Sequence, residues 1–499
     1  MESYFIALQN VLTIDNIVLM FIGTFFGIII GVLPGLAVNV AITLLLPFTL
    51  MYQGIGGILM LLGSYCGAIY GGGITAILLN IPGTPGAAAS VLDGYPMAAK
   101  GEPGRALGIS TFSSVFGGLF SCLCLMFLAP PLSRVALKFG PTEFFALTLF
   151  GITIITSVSG KSMVKGIIGG LLGLLISTVG LDPMTNRLRF TFGSIYLLGG
   201  VSFVPVVVGL YAFSQALKMV EESCDNPSTV KIQKITRVFL SWADFVRILP
   251  TLFRSSIVGT FIGVIPGVGA DISCWVCYNE AKRWSKNKDK FGTGIPEGIA
   301  APESGNNSMT GGALVPMLTL NIPGDSCVAI IMGAFLVQGL VPGPLLFVDH
   351  IEKVRAIFIG LFLVNLIMGL LGYSCLRFFA SILKVPKRIL TTIVFVFCFV
   401  GAFCVNNSFM DMFVMVISGI IGFFLLKMGF TIAPILLGMI LGRIAESNLR
   451  LTLLLNKWDL TVFVRRPIAL AFLIIAVLTL FSPLFVQLKK FWRKDRREA

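Results

Sequence analysis

The sequence predicts an all-α polytopic membrane protein made of two inverted repeats. Each repeat has a re-entrant hairpin and a helix broken at Asn-Ile-Pro-Gly, with about 11 spans in total. Three observations carry this: the composition, a duplicated order of motifs, and opposite charge bias around the two copies.

Of the 499 residues, 56% are hydrophobic and 12% charged, and the mean hydropathy is +0.94. An average soluble domain has roughly 25% charged residues. Apolar runs long enough to cross a bilayer recur throughout. The 55 glycines and 24 prolines sit inside those runs, where they are tolerated only if protein or a cavity covers the freed backbone. The net charge of +14 does not point to nucleic acid, because Lys and Arg cluster between apolar runs, as the positive-inside rule requires. The cysteines are mostly single within apolar runs and read as packing residues. Cys274 and Cys277 have no second pair or nearby His to complete a zinc site. The acidic start, without a basic n-region, shows no cleavable signal peptide.

Gly23-Thr24-Phe25 leads to Gly31-Val32-Leu33-Pro34-Gly35, and Gly259-Thr260-Phe261 leads to Gly263-Val264-Ile265-Pro266-Gly267. A glycine-rich apolar stretch and then Asn-Ile-Pro-Gly follow each, at Asn80 to Gly83 and Asn321 to Gly324. The first repeat is expected at 1–228, with a hairpin at 17–53, a broken helix at 58–98 and spans within 106–217. The second is expected at 229–465, with a hairpin at 255–281, a broken helix at 296–342 and spans within 354–446. A final span and basic tail occupy 466–499.

Charge predicts the inversion. Lys231, Lys234, Arg237 and Arg247 precede the second hairpin, and Lys282, Arg283, Lys286, Lys288 and Lys290 follow it. The first hairpin follows Glu2 and Asp15, and residues 35–99 carry no Lys or Arg. The second hairpin therefore enters from the cytoplasm and the first from outside. The tail, Lys489 to Arg497, places the C-terminus in the cytoplasm and the N-terminus outside. Arg443, Arg450, Lys457, Arg465 and Arg466 fall outside in this topology, against the rule.

The breaks are the candidate site. Proline removes a donor, glycine permits the backbone to turn, and the groups they free must bind a neighbour, an ion or a substrate. Half-helix N-termini suit carboxylates and freed carbonyls suit a cation. Candidate substrate-binding residues are Pro34, Gly35, Asn80, Pro82, Gly83, Thr84, Pro85, Gly86 and Ser90 in the first half. In the second they are Gly267, Asn321, Pro323, Gly324, Asp325 and Ser326. Glu303, Asn306 and Asn307 are candidate Na+ ligands, because a carboxylate with two amides is costly in an apolar run; a solvated interfacial loop is the alternative. Asp271 either meets an ion or caps the returning helix. No catalytic residue or cofactor is expected: no P-loop is present, and the aspartates lack an intramembrane protease spacing. An uncoupled anion channel lined by half-helices is the alternative to a carrier.

The stretches 70–110 and 291–344, with both hairpin breaks, resemble TctA, the large membrane subunit of tripartite tricarboxylate transporters, over nearly the whole chain. The resemblance implies a bacterial inner-membrane carrier for a small carboxylate, coupled to an ion gradient, Na+ being the expected ion. It implies two partners: a small four-span TctB-like subunit and a TctC-like periplasmic solute-binding protein. It also implies a moving region of hairpins and broken helices beside a scaffold. The family pattern has a small hydroxyl residue where Asp325 stands, and often Gly where Asn321 stands. An ionised Asp325 would repel a carboxylate there, or else bind a cation or a ligand hydroxyl.

Overall fold

A computed structural model describes residues 2–52, 54–158, 162–182, 184–223, 238 and 240–480. Of the expected final span and tail, 466–499, the structure describes the helix Pro467–Leu480. Lys231, Lys234, Arg237 and the basic tail lie outside the described residues. Eight described helices are long and apolar enough to cross a membrane, so the protein is a multi-pass membrane protein.

The chain forms two compact units, Met1–Ala136 with Val207–Gly419, and Leu137–Val206 with Ile420–Ala499. Both units draw on both halves of the sequence, so the boundary does not follow the repeat.

In the first unit the two halves build the same series of elements. Helix Ile14–Val32 starts where Thr13 accepts the Asn16 amide, and helix Trp242–Val264 where Ser241 accepts the Asp244 amide. The second helix thus starts well before the expected hairpin start at 255. Its polar first turns are held by ion pairs, Arg105 to Asp244 at 2.7 Å and Arg247 to Glu297 at 2.8 Å. A sequence reading that waits for apolar residues misses those turns. The helices end at Leu33 (φ −83°, ψ 112°) and Ile265 (φ −82°, ψ 112°). Gly35 (φ +94°) and Gly267 (φ +84°) then take the left-handed turn that side chains disfavour. Short helices follow, Val38–Thr49 and Gly269–Trp284.

The next helices, Gly56–Leu79 and Pro296–Leu320, are buried almost throughout. Small residues spaced four apart let the preceding helix approach them closely. Gly23, Gly27 and Gly31 rest on the main chain of Met60, Ser64 and Ala68, and a Cβ on Gly31 would lie 2.8 Å from the Ala68 Cα. Gly259 and Gly263 meet the helix Pro296–Leu320 in the same way. Both buried helices stop at an asparagine in the left-handed region, Asn80 (φ 61°) and Asn321 (φ 60°).

The second unit packs helix Met163–Ser177 on helix Ala433–Leu455, where a Cβ on Gly438 would lie 2.8 Å from the Leu174 amide nitrogen. Within the stretch 106–217 expected to hold spans, Gly180–Leu181 and Leu188–Arg189 form a two-stranded antiparallel hairpin, and a short 3₁₀ turn, Tyr196–Gly199, precedes the helix that begins at Phe203. Three of the basic residues expected outside, against the positive-inside rule, are ion-paired. Arg450 pairs with Asp182 and Glu446, Arg466 with Glu143, and Arg465 with Asp459. The Thr185 hydroxyl, then Arg450, the Met184 amide and Arg189, hold the Asp182 carboxyl well below its usual range.

Candidate functional site

Within each half the two breaks lie side by side. The Gly267 amide donates to the Gly324 carbonyl at 2.7 Å, and Gly83 rests against the Gly31 carbonyl. Between halves the contacts are reciprocal. After the second Asn-Ile-Pro-Gly, Ser326 and Cys327 bond to Asn39, at the start of the helix that follows the first hairpin break. Tyr65 donates its hydroxyl to Asp325 at 2.8 Å. After the first Asn-Ile-Pro-Gly, the Pro85 carbonyl accepts from Cys274, Gly86 abuts Asn306 and Ala270, and Ser90 donates to Glu303 at 2.6 Å. Each broken helix thus ends against the other half.

The two ends differ in their polar groups. Asp325 caps the helix Ser326–Val337, one oxygen accepting the Val328 amide at 2.7 Å and the other the Tyr65 hydroxyl. Its ordinary role as a helix cap is a reading the apolar sequence did not offer. Thr84, its counterpart, makes no side-chain cap, and its buried hydroxyl has no protein partner. Asn306 is 0% exposed and neither of its amide atoms has a partner. A buried polar group left unpaired costs about 1–3 kcal/mol.

The stretch 302–308, weighed above as a solvated loop, is buried helix within Pro296–Leu320. Proline early in the helix and close glycine packing hide the helical pattern in the sequence. Glu303 is fully buried and accepts Ser90 at 2.6 Å and Ser114 at 3.0 Å. The Asn307 amide nitrogen donates to the Glu303 carbonyl, leaving its Oδ1 unpaired. Asp271 lies in the first turn of Gly269–Trp284, whose N-cap is Val268 with no side-chain bond, so Asp271 does not cap it. It is exposed, as are Gly35 and Asn80, whereas Asn321 is buried. Pro34, Pro82 and Pro323 flank the turns without polar contacts of their own, and Gly35 accepts from Gln215 through its carbonyl.

Tyr65, Asn39 and Ser114 escaped the sequence reading. Register alone would have found Tyr65: it stands fifteen residues before Asn80 (80 − 65), as Asn306 does before Asn321 (321 − 306).

Broken helices that bring polar groups together inside a multi-pass bundle are the arrangement expected of a membrane transport protein. The chain belongs to the tripartite tricarboxylate transporter TctA family, whose sequence profile matches residues 17–437. It is 36% identical over 473 residues to the 52.8 kDa protein in the TAR-I ttuC' 3' region of Agrobacterium vitis, covering 94% of this chain and 93% of that one. It is also 36% identical over 219 residues to the protein in the TAR-II ttuC' 3' region of Agrobacterium vitis. That match covers 43% of this chain and 89% of the relative. No solved structure matches significantly.

The left-handed Asn321 gives a direct test of the break. Leucine there costs about 1–2 kcal/mol of backbone strain, which glycine avoids. Asn321→Leu is expected to lower carboxylate uptake by cells about tenfold, and Asn321→Gly to keep most of it. Equal loss in both would show that the amide matters and the backbone does not.

Proposed function

We propose that this chain is the carrier subunit that imports a small di- or tricarboxylate down a cation gradient, with Na+ as the coupling ion. The observation that carries the reading is the reciprocal seating of the two broken helices among buried polar groups without partners. Such groups are costly in a membrane unless they serve a solute. Glu303 and the unpaired Asn307 oxygen offer hard ligands to a cation, with exposed Asp271 as an entry point. The unit that holds all four breaks serves as the transport region and the other as the scaffold. The carrier sits in a bacterial inner membrane, N-terminus outside and C-terminus cytoplasmic. Membership of the family supports a small four-span TctB-like subunit and a TctC-like periplasmic solute-binding protein as its partners.

Replacing sodium by choline outside proteoliposomes that hold the whole complex is expected to abolish accumulation of the carboxylate. Uptake that persists without sodium and stops with a protonophore would assign the coupling to protons. Large non-saturating currents would mark a channel instead.

A further inference from the structure

We propose that Thr84, Gly86 and Asn306 form the subsite that takes one carboxylate group of the substrate, while the second break, closed by Asp325 and Tyr65, takes none. The proposal rests on the carboxylate reading above and deepens it.

The two breaks occupy matching places but only one is free. At the second, each oxygen of Asp325 already accepts one hydrogen bond, from the Tyr65 hydroxyl and the Val328 amide, and an ionised Asp325 also repels an anion. At the first, the matching positions carry Thr84 and Asn306. Thr84 is 2% exposed with its hydroxyl unpartnered, and Asn306 is 0% exposed with both amide atoms unpartnered.

The Asn306 amide is aimed at the break. A Cβ on Gly86 would lie 2.8 Å from Asn306 Oδ1 and 2.9 Å from Ala270 Cβ. Only glycine lets the turn come this close to the amide; a methyl group there would press on both neighbours and displace the Asn306 side chain. A half-turn of the amide presents Nδ2 to the same point. That nitrogen and the Thr84 hydroxyl are donors without charge, which fits an anion's oxygens. No Lys or Arg is among the three residues, so the subsite holds its anion by neutral donors.

Asn306 follows Glu303 by three residues, on the same helix face. An anion at Asn306 thus sits next to a carboxylate whose oxygens face Ser90 and Ser114. A cation held at Glu303 removes that repulsion, so cation binding favours anion binding at the neighbouring subsite. This gives Asn306 a substrate role distinct from the cation role its sequence context suggests.

The test is uptake of labelled citrate, succinate and malate by vesicles carrying the full three-part complex, using whichever is accepted best. Asn306→Asp is expected to raise its KM at least tenfold, even where its added charge beside Glu303 lowers the half-saturating Na+ concentration. A cation ligand would behave the other way: an unchanged KM with a lower half-saturating Na+ concentration would overturn the proposal. Should Asn306→Asp fail to reach the membrane, Gly86→Ala and Thr84→Val carry the same test. A raised KM in both supports the subsite, and a KM within twofold of wild type in both overturns it. If wild type carries none of the three acids, the carboxylate reading itself fails, and the subsite falls with it.

Discussion

Asp93→Ala is expected to destabilise the protein by about 3–5 kcal/mol, the range reached when a buried hydrogen-bond network is broken. Asp93, in helix Val91–Ala99, is 0% exposed. Its carboxylate accepts the amides of Gly292, Gly294 and Ile295, at 3.0, 2.7 and 3.0 Å, and the Tyr278 hydroxyl at 2.9 Å. It thereby ties the chain beyond the first break to the loop that opens helix Pro296–Leu320 in the other half. Alanine would leave four donors unsatisfied at once. Asparagine keeps one acceptor oxygen, so Asp93→Asn is expected to lose roughly half as much. Thermal unfolding of the purified protein in detergent reads both. An alanine variant that melts with the wild type would show that the loop finds other partners.

Glu303→Ala is expected to abolish uptake, by at least about a hundredfold, while the protein still folds. The stability cost is modest because the Ser90 and Ser114 hydroxyls can turn back to helix carbonyls. The functional cost is large because a buried carboxylate without an Arg or Lys partner is retained at high expense. Glu303→Gln separates charge from shape: its oxygen still accepts from one serine, its NH2 donates to the other serine's hydroxyl, and the charge is lost. Uptake that remains sodium-driven in the glutamine variant would remove Glu303 from the coupling.

The spacing of Pro, Gly and Asn in the sequence marks both hairpin breaks and both Asn-Ile-Pro-Gly breaks, because Gly and Asn enter the left-handed region most readily and Pro interrupts the helix. The two hairpin helices end at nearly the same angles, φ −83° at Leu33 and −82° at Ile265. Two things were not legible. Helix Trp242–Val264 begins among Asp244, Arg247 and Arg254, whose charges mask it until their partners are known. The cross-half contacts were also hidden, since Ser90 and Glu303 are 213 residues apart in sequence and meet only through packing. For the same reason the composition could not tell Asp325, a satisfied helix cap, from an ion ligand, whereas Asn306 is left bare.

The reciprocal seating of the broken helices also sets an order of events during synthesis. Ser90 must wait for Glu303, and at about 5–20 residues per second the interval is on the order of 10–40 seconds. For that time the newly inserted first half carries an open turn and unmatched polar groups within the bilayer. Asn39 and Tyr65 wait still longer, for Ser326 and Asp325. Neither half can mature alone, so a ribosome stalled in the middle of the message leaves a fragment that membrane proteases and chaperones can recognise by its unfilled seats.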